Sequence, residues 1–267
     1  MTTITEIEYD SEEDEYDIGN MHILLNNIYK NDDVNEFIKI LESGDFSKYI
    51  KSTTEEFLFS TLESACTNGC ENIIKLILEH QFKVKKDCNP IVYAICGTFD
   101  EDKKLNIVKA LLDDKRFSPN TPTTLLTVSR LETPLTAAIK YKYLDIIKLL
   151  VEREDIDMNY RNECIKISYV NGYILTPLYY ACMTAKDINI INYLLNDPRV
   201  DPNIYVGNLT VFQHTCNIKL QNSDILAKIS EHLYNHPRID ADKLTKVGKT
   251  IFEMICGDHV NVVKKLI

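Results

Sequence analysis

Ile146-Ile147-Lys148-Leu149-Leu150-Val151 has close copies along most of this 267-residue chain. Upstream stand Phe37-Ile38-Lys39-Ile40-Leu41, Ile73-Ile74-Lys75-Leu76-Ile77-Leu78 and Ile107-Val108-Lys109-Ala110-Leu111-Leu112; downstream comes Ile190-Ile191-Asn192-Tyr193-Leu194-Leu195. Two weaker copies follow, Ile229 with Leu233-Tyr234 and Val262-Val263 with Leu266-Ile267. The copies begin at 37, 73, 107, 146, 190, 229 and 262, in steps of 36, 34, 39, 44, 39 and 33, so a unit of about 33 residues repeats with insertions of varying length. Inside each copy the apolar residues fall at offsets of three and four, a wide helical stripe that neighbours must cover.

A second likeness trails the first. Leu111 to Asn120, Leu150 to Asn159 and Leu194 to Asn203 share one order of helix end, short extended piece and turn, with a degenerate copy from Leu233 to Asp242. Ahead of the apolar copies lies a shorter helix with small residues, opened by Thr133-Pro134-Leu135 and Thr176-Pro177-Leu178. Thr caps such a helix and Pro fits its first turn.

These residues resemble the ankyrin repeat, a Thr-Pro-Leu-His opening, Ala-Ala inner helix, Gly turn, Val-Val-x-Leu-Leu-Leu outer helix and Gly-Ala-Asp-x-Asn turn. Ser60 to Leu78 is the nearest copy, with Ala65-Cys66, Gly69 and the Ile73 to Leu78 run in place. The resemblance implies an all-α ankyrin-repeat solenoid of stacked helix-turn-helix units with short β-hairpin fingers. Its expected repeats are 20–53, 54–88, 89–132, 133–175, 176–209, 210–249 and an incomplete 250–267, behind an acidic leader at 1–19. Thr136 and Tyr179 stand where the family has His, so the hydrogen bonds that His makes between repeats must be absent or replaced. The Gly that ends the outer helix is mostly replaced by a longer segment, as in Asn196-Asp197-Pro198-Arg199.

Charge narrows the function classes. The formal net charge is −10, yet residues 1–19 hold eight acids and no Lys or Arg, leaving 32 acids (40 less 8) against 30 bases elsewhere. With no basic excess, general nucleic-acid binding is not expected. The leader is expected to stay disordered. No run approaches 18 apolar residues and no signal peptide is evident at the start, so the expectation is an intracellular, cytoplasmic chain without membrane insertion, with the nucleus also open to it. Eight cysteines without a Cys-x-x-Cys pair are expected to be reduced thiols.

Catalytic and metal chemistry finds little support. Cys66, Cys182, Cys216 and Cys256 fall at the same place in successive inner helices, which a shared packing slot explains better than a metal or redox cluster. His232 and His236 are four apart on a helix, but they match Tyr193 and Asp197 of the preceding copy and read as a contact between repeats and a helix end. Cys256 and His259 share one tight turn, from which nucleophile and base rarely face each other. Neither a phosphate loop nor a dinucleotide fingerprint is present, so no enzyme activity and no cofactor are expected.

Recognition of a partner protein is the expected role. By family resemblance the inner helices and the turns before them line a concave face, on which Arg130, Glu132, Lys140, Tyr141, Tyr173, Leu175, Met183 and Thr184 are placed. Phe57, Phe59, Thr67, Asn68, Leu209, Asn217 and Ile218 are placed there too, with core packing a standing alternative for Phe57, Phe59 and Leu175. Inserted turns at 121–132 and 163–175 are expected to form fingers at the centre of the partner site. The second alternates β-formers around Asn171-Gly172, a strong hairpin signal that brings in Tyr169 and Asn171. The stretches from Gly97 to Lys104 and from Lys219 to Asp224 read as solvated loops. The chain stops just after an outer helix without a polar capping repeat, which suggests a longer parent or end-to-end self-association.

Overall fold

Thr53, Asn89, Thr133, Thr176, Thr210 and Thr250 each place a side-chain oxygen on a backbone N–H two or three residues ahead, and each starts a helix. The computed structural model describes residues 12–44, 53–84, 88–124, 131–160, 162–163, 174–217 and 224–256. It forms two compact units, Met1–Ser118 and Pro119–Ile267.

The first unit stacks three helix pairs: α1 (Glu12–Asn31) with α2 (Val34–Ser43), α3 (Thr54–Asn68) with α4 (Glu71–Leu78), and α5 (Pro90–Cys96) with α6 (Glu101–Asp113). Inner helix packs on inner helix, α1 on α3 and α3 on α5, and outer on outer, α2 on α4 and α4 on α6. Within the α3–α4 pair the chain reverses at Gly69, whose φ of 73° lies in the left-handed region that glycine tolerates best.

In the second unit a hairpin precedes each of the next three inner helices. Strand β1 (Thr123–Thr124) pairs antiparallel with β2 (Leu131–Glu132) before α7 (Pro134–Tyr141) and α8 (Leu144–Val151). Strand β3 (Asn162–Glu163) pairs with β4 (Ile174–Leu175) before α9 (Pro177–Tyr180), which runs into a π-helical turn at Ala181–Ala185 and then α10 (Ile188–Asn196). Strand β5 (Tyr205–Val206) pairs with β6 (Leu209–Thr210) before α11 (Val211–Cys216) and α12 (Asp224–Tyr234); α13 (Ile251–Cys256) opens the last repeat.

The apolar copies do what their spacing demands. Ile73, Ile74 and Ile77 of α4, Ile107, Val108 and Leu111 of α6, Ile146, Ile147 and Leu150 of α8, and Ile190, Ile191 and Leu194 of α10 are all 2% exposed or less. Burial of each such side chain stabilises by about 1.5–3 kcal/mol against exposure, before conformational entropy is subtracted.

Polar bonds join repeat to repeat in both directions. Arg116 donates back to the carbonyls of Leu78 and His80, Arg199 to those of Val151 and Arg153, and Arg238 to those of Leu195 and Asp197. These carbonyls lie at or just beyond the ends of outer helices, where backbone acceptors lack intrahelical donors and a cation is favoured. The longer segment that replaces the family's Gly therefore supplies an arginine cap from the next repeat. Forward links come from Asn120, Asn159 and Asn203, whose Nδ2 atoms donate to Asp155 O, Arg199 O and Arg238 O. Their Oδ1 atoms accept from the amides of Asp157, Asp201 and Asp240.

The missing histidines are compensated position by position. Thr136 completes a capping box with Thr133. The ring of Tyr179 meets His214 of the next repeat edge-on at 5.2 Å. Gln213, the fourth residue of the Thr210 opening, accepts from Thr210 N and donates to Lys243 O in the following turn.

Two expectations are corrected. Helix α1 begins at Glu12, inside the leader expected to be disordered, while residues 1–11 lie outside the described residues. Met21, Leu25 and Ile28 anchor the helix by burial. The stretch from Gly97 to Lys104 is only in part a solvated loop: Thr98 and Asp100 are exposed, but helix α6 starts at Glu101 and Lys104 is fully buried in it, with Nζ donating to Gly97 O and lying 4.1 Å from the centre of the Phe99 ring. A Cβ on Gly69 would fall 2.8 Å from that ring, so Phe99 folds inward over the glycine. The expected loop at 219–224 lies almost entirely outside the described residues.

Candidate protein-binding surface

Lys140 and Tyr141 end α7, and Met183 and Thr184 sit in the π turn, which packs against α7. The four residues thus occupy corresponding ends of adjacent inner segments. Tyr141 is 40% exposed, stacks on Tyr143 at 5.9 Å and has the Lys140 ammonium 5.3 Å from its ring centre. Thr184 is exposed and Met183 half-buried. The left-handed Lys142 stands nine positions after Thr133, whereas the left-handed Lys186 stands ten after Thr176. The π turn absorbs that extra residue, and such turns are often found at functional sites.

Other expected surface residues are placed differently. Glu132 is 2% exposed; its Oε1 pairs with Lys140 Nζ at 2.7 Å, and Oε2 has no hydrogen-bond partner among the described residues. It is therefore buried at the base of the first hairpin, and not exposed as the surface expectation has it. Phe57 and Phe59, 2% and 0% exposed, are core, as the packing alternative has it: Phe57 stacks on Phe37, and Phe59 meets Phe82. Thr67 and Asn68 are exposed at the end of α3 but bond back to Glu63 O and Ser64 O. Leu209 and Asn217 are half-buried.

Both inserted turns are paired at their bases, with Thr123 opposite Glu132 and Asn162 opposite Leu175, and β2 lies beside β3. Arg130, Tyr169, Asn171, Tyr173 and Ile218 lie outside the described residues, and for Leu175 only the backbone is described. The β5–β6 hairpin was not anticipated, although Tyr205-Val206-Gly207-Asn208-Leu209-Thr210 carries a Gly-Asn turn between β-formers; Gly207 has a φ of 65°. Nor was the turn at Lys243–Thr250, where Gly248 among lysines was the available signal.

The cysteines and histidines take structural places. Burial pushes the Cys66 and Cys182 thiols well up and that of Cys216 up to about 12. Cys70 is likewise raised to about 12, by burial and then by Asp32. A thiol so raised is a poor nucleophile at neutral pH. His232 Nε2 hydrogen-bonds Asn192 Oδ1 across repeats, and His236 Nδ1 accepts from Arg238 N. Among the described residues, no group of three or more His, Cys, Asp or Glu is placed to hold a metal ion. No described helix is long and apolar enough to cross a membrane.

Helix pairs in tandem, joined by turns and hairpins, define a tandem-repeat protein. A family model described as ankyrin repeats (three copies) matches residues 62–162 and 101–206, and the chain belongs to the ankyrin-repeat family, whose repeats are protein-interaction modules. Among solved structures it is similar to the ankyrin repeat domain of human ASB11, with TM-score 0.52 and 17% identity over 86% of this chain and 90% of that one. It is also similar to the ankyrin repeat domain of Bcl-3, a member of the IkappaB family, with TM-score 0.57 and 13% identity over 86% of this chain and 92% of that one. At these identities the likeness is one of fold. No curated protein matches the chain in a sequence search.

Proposed function

We propose that the chain is a non-catalytic, cytoplasmic scaffold that binds a partner protein through one face of its second unit, made by the ends of α7 and the π turn with the hairpins at 121–132 and 163–175. The observation that carries this reading is the pairing of Lys140-Tyr141 with Met183-Thr184 on adjacent inner segments, beside two hairpin bases that lie together. Aromatic and Met side chains are enriched at protein interfaces, and hairpins add contact area without entering the core. The test begins with affinity capture by the intact chain from its native cell and identification by mass spectrometry. Binding of that partner is then measured for a variant with 125–130 and 164–173 excised. Loss of binding with unchanged thermal unfolding supports the reading; undiminished binding overturns it.

A second reading is favoured by the eight acids and no bases of residues 1–19, which suit capture of a basic segment of a regulatory protein. Deleting 1–19 would then weaken binding and flatten its salt dependence, whereas the first reading leaves both unchanged. End-to-end self-association through the last repeat is a separate expectation. Residues 257–267 lie outside the described residues, and light scattering over a concentration series tests it.

A further inference from the structure

Thr245 fixes a turn that exposes Lys246, Lys249, Val247 and Leu244, while Lys243 beside them is half-buried with Nζ donating to Asn203 O at 2.9 Å. The Thr245 amide donates to Lys249 O at 2.8 Å, its Oγ1 accepts from Lys249 N at 3.0 Å, and Gly248 N donates to Thr245 O at 2.9 Å. Gly248, with a φ of 75°, closes the turn in the left-handed region, as three-residue hairpin loops require. Lys246 N donates to Asn208 O at 3.0 Å, and the Tyr205 hydroxyl donates to Leu244 O at 2.6 Å, so the turn is tied to the β5–β6 hairpin beside it. A tip held at so many backbone points presents its side chains with little ordering cost on binding.

What the tip presents is chemically one-sided. Residues 243–250 contain Lys243, Lys246 and Lys249 and no acid, in a chain whose net charge is −10. The ammonium groups of Lys243 and Lys246 lie 4.8 and 5.6 Å from the centre of the same Tyr205 ring, two cations held close to one aromatic ring. None of the three lysines forms a close ion pair among the described residues, although Lys249 acts electrostatically on the Glu253 carboxylate. Glu253 accepts from Thr250 N and Oγ1, and Asp240 and Asp242 precede the turn as exposed residues. Val247 is 66% exposed and Leu244 46%, two of the more open large apolar side chains among the described residues.

We propose that the turn at Lys243–Thr250, with Tyr205, docks an acidic segment of a partner protein that also carries apolar side chains. Carboxylates relieve the repulsion between neighbouring ammonium groups, and apolar side chains cover Val247 and Leu244. A nucleic-acid strand fits less well, since its phosphates offer nothing to Val247 and Leu244, and a long polyanion is repelled by the acidic remainder of the chain. The site is separate from the first two hairpins and does not rest on their role.

The experiment uses the full chain and a fluorescein-labelled peptide of repeated Asp-Leu-Glu triplets, followed by anisotropy at low and high salt. Binding is expected to weaken with salt and to fall about tenfold in the K246E/K249E variant. It is expected to fall several-fold in V247S, with circular dichroism unchanged in both variants. A Lys-Leu-Arg peptide of the same length is expected not to bind. Absence of binding by the acidic peptide, equal binding to K246E/K249E, or tighter binding of a single-stranded oligonucleotide overturns the proposal.

Discussion

The Arg199 guanidinium donates through Nη1 to the carbonyl of Arg153, 46 residues earlier, at 2.8 Å. Its Nη2 reaches Val151 O, and Asp197 holds the guanidinium from the other side at 2.7 Å. Replacing Arg199 by Ala is expected to cost about 1–2 kcal/mol, the value of charge-assisted bonds discounted for partial exposure. Arg199→Lys should recover little, because an ammonium cannot span two carbonyls as a planar fork does. Urea unfolding of the three proteins measures both.

Asn159 makes the reciprocal link, giving Nδ2–H to Arg199 O and accepting from Asp201 N. Asn159→Ala is expected to lose about 1–2 kcal/mol. Asn159→Asp keeps the acceptor yet sets a carboxylate against the Arg199 carbonyl, so it should be no better. Hydrogen exchange at the Asp201 amide should quicken in the Ala variant and stay protected in wild type.

Acid should destabilise the chain in two stages. Burial lowers the His214 pKa against the opposing pull of its bond to Val206 O, and burial also lowers His236, helped by Arg238. The unfolded imidazoles therefore bind protons first, and stability falls as pH drops below about 6.5. A second loss comes lower. Hydrogen bonds from Arg199 and Arg153 hold Asp197 and Asp155 below the usual carboxylate range, and at Asp114 burial pushes up but the bonds from Arg116 prevail. Their contribution is full above about 3.9 and is lost as pH falls through the folded values. Unfolding free energy measured against pH should show both stages, with the first reduced in His214→Phe.

The buried thiols should be inert until the fold opens. Cys66, Cys70 and Cys182 are expected to react with a disulfide reagent no faster than the chain unfolds, and within seconds in urea. Fast labelling of Cys182 in native buffer would contradict its burial.

Removing Ala185 tests the π turn. The α9 segment then has the length of α7, and the repeat is expected to fold with equal or higher stability as an ordinary α-helical turn, read by thermal unfolding. Partner binding should weaken, because Met183 and Thr184 rotate away from the ends of α7.

The helix pairs were legible because burial of one stripe imposes a period, and Ile146, Ile147 and Leu150 obey it without exception. Capping was legible at Thr133 and Thr176, where the side chain acts on its own next residues. What escaped reading depends on partners some forty residues away. Arg116, Arg199 and Arg238 were visible as parts of an unusual helix end, but nothing local says that a guanidinium reaches the previous repeat. Glu132 misled because a charge beside a predicted finger reads as surface, whereas Lys140 compensates it in the interior. Phe57 and Phe59 stand about two turns ahead of the Ala65-Cys66 slot, and neighbouring rings decide their burial.

The arginine caps all reach backward, which matters while the polypeptide is still being made. The carbonyls of Leu78, Val151 and Leu195 meet their guanidinium donors only after the following module has emerged, so these three caps form one step behind the synthesis of the helices they close. The growing tip is the least finished part of the molecule, and the moment of greatest exposure to chaperones and proteases travels along the chain with translation.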